Sequence, residues 1–190
     1  TLMHFTSNIK KSVVSAKIRG LKILIVYNSS GYDSMSNLEF IDEIIDIYLP
    51  DFKFIDSQLS FEFCNCLNYP EIAKQNIEFM LKRKGQLKLN TEDCAVSGTL
   101  IRHLVMPNCI ENSENIIKYL FSEYGKELYL SIMSQYSPKY KAPAFAKINR
   151  KLFNSEYQTI VNLIESLDME NVYLQELDSS DIFFPDFKTP

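Results

Sequence analysis

The chain has 190 residues, 46% of them hydrophobic and 23% charged, enough to bury one sizeable core and read as a single domain spanning 1–190. Its net charge is −4 and its densest basic run is only Lys82-Arg83-Lys84, which argues against nucleic acid as a partner. No apolar run approaches the roughly 18 residues that cross a bilayer, so no membrane partner is expected and the location is read as cytoplasmic.

In chain order, Ile9, Val13 and Ala16 share one helical face, and Gly20 ends that helix. A first strand is expected over Ile23–Tyr27. Ser36-Asn37-Leu38-Glu39 reads as a capping box opening the next helix. The second strand, Ile44–Leu49, leads into Pro50-Asp51-Phe52-Lys53, a tetrapeptide that recurs as Pro185-Asp186-Phe187-Lys188. Pro70 suits a first helical turn, with Ile72, Ala73, Ile77, Met80 and Leu81 on the buried side; Lys82–Lys84 complement the helix dipole and Gly85 stops it. A third strand is expected over Leu100–Met106, then a stripe of Ile116, Ile117, Leu120 and Phe121 ended by Gly125. The fourth strand is Leu128–Met133. The last helical stripe is Tyr157, Ile160, Val161, Ile164 and Leu167, followed by the fifth strand, Val172–Leu174.

These strands are apolar on both faces, as in a buried parallel sheet, and their alternation with helices means right-handed α/β winding. Five strands are too few for a closed eight-stranded barrel, and the first is preceded by a helix. The expected fold is therefore a curved parallel sheet, the later part of a partial TIM-like barrel.

Ligands of parallel α/β folds bind at the carboxyl ends of the strands, so the residues that follow each strand define the search for a site. They are Asn28-Ser29-Ser30-Gly31 after the first, Asp51 and Lys53 after the second, Ser134-Gln135-Tyr136 after the fourth and Gln175-Glu176 after the fifth. Arg102 and His103 lie inside the third. Asp51 and Lys53 are two apart and share a face in extended backbone, presenting an acceptor and a cation; the alternative is a strand-end ion pair. A guanidinium in an apolar strand must be paired or line a cavity, which marks Arg102. His103 faces the other way and reads as a hydrogen-bonded core residue. Asn28, Asp51, Lys53, Arg102 and Gln135 are expected on one side of the sheet. No GxSxG, GxGxxG, P-loop or HExxH motif occurs, while 24 acidic residues leave a glycosidase-type carboxylate pair open. Cys64 and Cys66 are separated by one residue, which is too close for the usual zinc spacing. With Cys94 and Cys109 they are read as reduced packing thiols, a metal site built from them being the alternative.

Five blocks, Leu21–Tyr32 (LKILIVYNSSGY), Ile45–Lys53 (IDIYLPDFK), Ile101–Pro107 (IRHLVMP), Met133–Pro138 (MSQYSP) and Asn149–Tyr157 (NRKLFNSEY), resemble in order and spacing the radical S-adenosylmethionine proteins related to pyruvate formate-lyase-activating enzyme. The resemblance covers nearly the whole chain. It implies a 4Fe-4S cluster on a CxxxCxxC loop and cleavage of S-adenosylmethionine to a 5′-deoxyadenosyl radical, which in the true activases abstracts hydrogen from a glycine of a partner enzyme. It further implies that Asp51 and Lys53 hold the ribose and methionine portions of the cosubstrate, and that Asn28, Ser30 and Gly31 contact its methionine end. Arg102 would face the cosubstrate and substrate cavity. Thr1 and His4 match the end of a preceding strand, and Gln135 with Tyr136 a further cavity position. The CxxxCxxC loop is absent, and none of the four cysteines stands in its place. The chain is thus expected to be a fragment that is inactive and cluster-free by itself, from an oxidoreductase acting on a protein substrate of the glycyl-radical kind. The alternatives are a cluster-free, non-catalytic scaffold and a barrel enzyme acting on a small anionic metabolite.

Overall fold

Apolar residues at helical spacing and short β-branched runs settle into alternating helices and strands over the residues that the computed structural model describes, 5–177. Thr1, His4, Phe183, Phe184 and the second tetrapeptide, Pro185 to Lys188, lie outside them. The elements are α1 (Thr6–Ile18), β1 (Val26–Ser29), α2 (Met35–Ile41), β2 (Ile47–Pro50), α3 (Ser57–Cys64), α4 (Tyr69–Lys84), β3 (Lys88–Leu89), β4 (Ala95–Thr99), β5 (Ile101–Leu104), α5 (Ile110–Tyr124), β6 (Leu130–Met133), α6 (Asn154–Ser166) and β7 (Val172–Leu174). Short 3-10 turns occupy Asp42–Ile44, Ala142–Ala144 and Ala146–Ile148. The chain divides into two compact units, Thr1–Phe52 with Asn68–Ile101 and Lys53–Leu67 with Arg102–Pro190.

In the first unit β1, β2 and β4 run parallel and β3 pairs antiparallel with β4, giving the order β1-β2-β4-β3. Leu38, Ile41, Ile44, Ile45, Tyr48 and Met80 form its core, with Val13 packed against them. Pro70 stands in the first turn of α4, and Ala73, Ile77 and Met80 face inward, whereas Ile72 and Leu81 are only half-buried. The basic end of α4 does more than meet the helix dipole. Arg83 lies 2.7 Å from the buried Asp42 carboxylate, Tyr48 donates to it at 3.0 Å, and Lys84 donates to the Asp42 carbonyl at 2.9 Å. Burial pushes the Asp42 carboxyl up, but hydrogen bonds from Arg83 and Tyr48 and the charge of Lys84 outweigh it, leaving the group below its ordinary value.

Several expectations change. The first strand starts at Val26, leaving Ile23 and Leu24 exposed outside it, and among the described residues β1 stands at the edge of its sheet rather than being buried on both faces. Ile44 belongs to a 3-10 turn. The capping box at Ser36 does not form: the N-cap is Ser34, whose extended backbone starts the helix two residues earlier and puts Ser36 inside the first turn. β2 lies between β1 and β4, and β4 is the strand that the sequence pattern missed, because Ala95, Ser97, Gly98 and Thr99 are small or polar. Gly98 has φ +112, and a Cβ there would sit 2.3 Å from the Gln86 carbonyl oxygen, so this close approach requires glycine.

The second unit holds the sheet β5-β6-β7, with β6 and β7 parallel. Its helices bury Ile116, Ile117 and Leu120 of α5, and Tyr157, Ile160 and Ile164 of α6; Phe121, Val161 and Leu167 are half-buried. Helix α3, not expected from the sequence, is capped by Asp56, which accepts from the backbone N–H groups of Gln58 and Leu59 at 2.6 and 3.1 Å. His103 is fully buried with Nε2 2.8 Å from Ser113 Oγ, a hydrogen-bonded core residue. Cys109 is buried, but Cys64 and Cys94 are exposed, so packing is not the role of those two thiols.

Candidate functional site

In the first unit the parallel register Asn28↔Leu49 and Ser29↔Pro50 carries both strands to a common carboxyl end. The chain leaves β1 through a turn that is held by side chains rather than by length. Ser29 Oγ accepts from the Gly31 N–H at 2.9 Å and donates to Asp33, whose other oxygen receives the Tyr27 hydroxyl at 3.1 Å. Asn76 Nδ2 donates to the Gly31 and Asp33 carbonyls, each at 3.1 Å, so α4 fixes the turn from behind. The Tyr69 hydroxyl lies 3.0 Å from both the Ser30 and the Asp51 carbonyl oxygens and shares its proton between them. Burial, together with the negative charge of Asp33, holds the Tyr27 hydroxyl well above the ordinary tyrosine range, so it stays a donor.

Gly31 is the tightest point. With φ +76, its position would bring a Cβ to 2.1 Å from the Asp51 carbonyl oxygen, and the Asp51 N–H donates to the Ser29 carbonyl at 2.9 Å. Four of the sequence candidates, Asn28, Ser30, Gly31 and Asp51, therefore stand together at one strand end, with Asn28 and Ser30 exposed and Asp51 only 8% exposed. Asp33, Tyr69 and Asn76 were not singled out from sequence. The one signal for Asp33 was its place two residues beyond the turn glycine; Tyr69 and Asn76 reach the turn only through tertiary packing.

In the second unit Arg102 and Gln135 line a cleft of about 290 Å³ with Ser131, Met133, Tyr173, Leu174 and Gln175. Residues of β5, β6 and β7 thus share it. Gln175 donates through Nε2 to Gln135 Oε1 at 3.1 Å and accepts from the Ser134 N–H at 3.1 Å, which orients both amides. Tyr136 turns inward and donates to the Ile148 carbonyl at 2.9 Å. Lys53 belongs to this unit: its carbonyl accepts from Asn112 Nδ2 at 2.9 Å. Partial desolvation raises the thiol pKa of the otherwise exposed Cys64, and the Lys53 charge opposes that rise. Among the described residues no three His, Cys, Asp or Glu side chains gather to hold a metal. The residues present do not fit a 4Fe-4S cluster, which needs converging thiolates.

No family model matches the chain. An uncharacterised protein of Methanocaldococcus jannaschii is 29% identical over 151 residues, covering 80% of this chain and 40% of that protein, so the chain spans well under half the length of this curated relative. A domain of pyruvate-formate lyase-activating enzyme from Bacteroides vulgatus superposes with a TM-score of 0.61 at 12% identity, over 92% of this chain and 93% of that domain. At that identity the likeness speaks for architecture: the chain has a mixed α/β fold with parallel strands, consistent with part of a TIM-like barrel, similar to that of an activating-enzyme domain.

Proposed function

We propose that this chain is the later part of a radical S-adenosylmethionine domain, and that its full-length parent is an activase-like oxidoreductase with a protein substrate. The observation that carries the reading is the strand-end turn, where Gly31 admits the Asp51 backbone at a distance no side chain allows. A turn fixed in this way, with exposed Asn28 and Ser30 beside the mostly buried Asp51, offers polar groups that suit a ligand with amino, carboxylate and ribose hydroxyl groups. The likeness to the activating-enzyme domain supports the same direction.

In this reading Asn28 and Ser30 bind the methionine end of the cosubstrate, Asp51 accepts from ribose hydroxyls, and Lys53 pairs with a carboxylate. Arg102 and Gln135 line the cleft of the second unit, and His4, outside the described residues, is assigned to the cosubstrate by resemblance alone. Ser29, Asp33, Tyr69 and Asn76 orient the turn. No step is assigned to a cluster, because this chain's cysteines do not fit one.

Two measurements test the proposal. The parent gene should encode CxxxCxxC upstream of this segment; its absence leaves the non-catalytic scaffold as the better reading. Calorimetric titration of the intact parent with S-adenosylmethionine should show binding that Asp51→Asn weakens. Unchanged affinity in that variant would remove Asp51 from the site.

A further inference from the structure

Ser137 to Ser155 carry five basic residues, Lys139, Lys141, Lys147, Arg150 and Lys151, and no carboxylate, in a chain whose net charge is −4. A charged stretch is often just a solvated loop, but this one is built. It leaves β6 through Gln135 and Tyr136 and returns as α6. Tyr136 donates to the Ile148 carbonyl at 2.9 Å, Asn108 Nδ2 donates to the Lys147 carbonyl, and the Phe145 ring meets Phe63 edge-on at 5.4 Å. The segment's own Ile148 and Leu152 are buried. Arg150 is committed to Glu156 by bonds of 2.7 and 2.9 Å and lies 4.0 Å from the Phe153 ring centre. The far half of the segment is thereby fixed.

The near half ends in an exposed tip. Tyr140 is 91% exposed, and its φ of +55 is a conformation that a bulky side chain seldom adopts. Lys141 lies 5.5 Å from its ring, and Lys139, Lys141, Lys147 and Lys151 are all exposed. A rigidly based strap that displays an aromatic side chain between lysines has the composition of an interface anchor, since tyrosine dominates protein contacts and lysines steer an oppositely charged partner.

We infer that the strap from Ser137 to Ser155 is a docking surface for an acidic polypeptide segment, with Tyr140 as its aromatic anchor and the surrounding lysines as its charge complement. A nucleic acid fits less well, because an extended polyanion would also meet the acidic remainder of the chain. A membrane surface fits less well too, because the strap's helical parts are three-residue 3-10 turns, too short to lie in an interface as an amphipathic helix. This surface stands apart from the cosubstrate reading and survives if that reading fails.

The test is fluorescence anisotropy of the full chain with a labelled glutamate-rich peptide at low salt. Binding should weaken about tenfold in Lys139→Glu/Lys141→Glu and several-fold in Tyr140→Ala, while the exposed helix variant Lys11→Glu should leave it within about twofold. Circular dichroism confirms that each variant is folded, and Lys141→Gln offers a milder change at the same position. Absence of peptide binding, or equal losses from Lys11→Glu and the strap variants, would overturn the inference. So would stronger competition by an RNA oligonucleotide or by anionic vesicles than by unlabelled peptide.

Discussion

Gly31 and Gly125 both have positive φ, +76 and +78, yet their surroundings differ: a Cβ at Gly31 meets the Asp51 carbonyl oxygen at 2.1 Å, while one at Gly125 meets nothing within 4 Å. Gly125→Ala should therefore cost about 1 kcal/mol of left-handed strain, whereas Gly31→Ala must also push β2's end away and should cost about 3 kcal/mol or more. Thermal unfolding of the two variants checks the contrast, and equal losses would mean that the turn yields without strain. The two copies of the tetrapeptide separate at the same scale. In the intact parent, Asp51→Asn or Lys53→Ala should weaken S-adenosylmethionine binding by about 1–3 kcal/mol, the range for losing a charged hydrogen bond. Asp186→Asn and Lys188→Ala, in the second copy, which the resemblance leaves outside the cosubstrate site, should each change it by less than about 0.5 kcal/mol. Titration of the four variants decides: similar losses from both copies would refute the distinction.

At the level of elements, helix α6 begins on an ion pair whose pH dependence is open to measurement. Hydrogen bonds from Arg150, and from the backbone N–H groups of Asn108 and Phe153, hold the Glu156 carboxyl at about 2, against an ordinary 4.5, and overcome the opposing effect of burial. A depressed carboxylate stabilises the fold above its unfolded pKa, and that contribution is lost as pH falls through the folded one. About 1–2 kcal/mol should therefore disappear between roughly pH 4.5 and 2, a window that Glu156→Gln should flatten in urea unfolding. The lowered Asp42 carboxyl acts with the same sign and contributes to the residual slope in that variant. The elements also show how far local pattern reached. α4, α5 and α6 lie where their apolar periods put them, because each buries a stripe dense enough to override local ambiguity, and β7 spans Val172–Leu174 as expected although its Tyr173 and Leu174 are exposed. β4 escaped because its small and polar residues carry no period, and α3 because its exposed Phe61 and Cys64 blur the stripe.

Across the whole molecule, the described residues offer no helix long and apolar enough to cross a membrane and no thiolate cluster. Anaerobic reconstitution of this chain with iron and sulfide should accordingly leave it without the visible charge-transfer absorption of a stoichiometric 4Fe-4S centre. A stoichiometric chromophore would show that the dispersed cysteines converge after all. The same measurement on the intact parent should give the opposite result, so the pair of samples separates a property of this segment from one of the proposed enzyme.

Composition, the alternation of apolar runs with helical periods and the polar residues closing each strand were enough to reach an α/β class with parallel strands and to nominate Asn28, Ser30, Gly31 and Asp51 at one strand end. These are local properties: side-chain period decides which face is buried, and the end of an apolar run marks where a strand stops. Strand order was not local. Only the fold revealed that β4 intervenes beside β2, because Gly98 allows an approach that no hydrophobic pattern records. Nor could any spacing show that Tyr69 and Asn76, 38 and 45 residues beyond Gly31, reach back to clamp its turn. Chain order encodes which groups are available. Burial and close packing decide which of them meet.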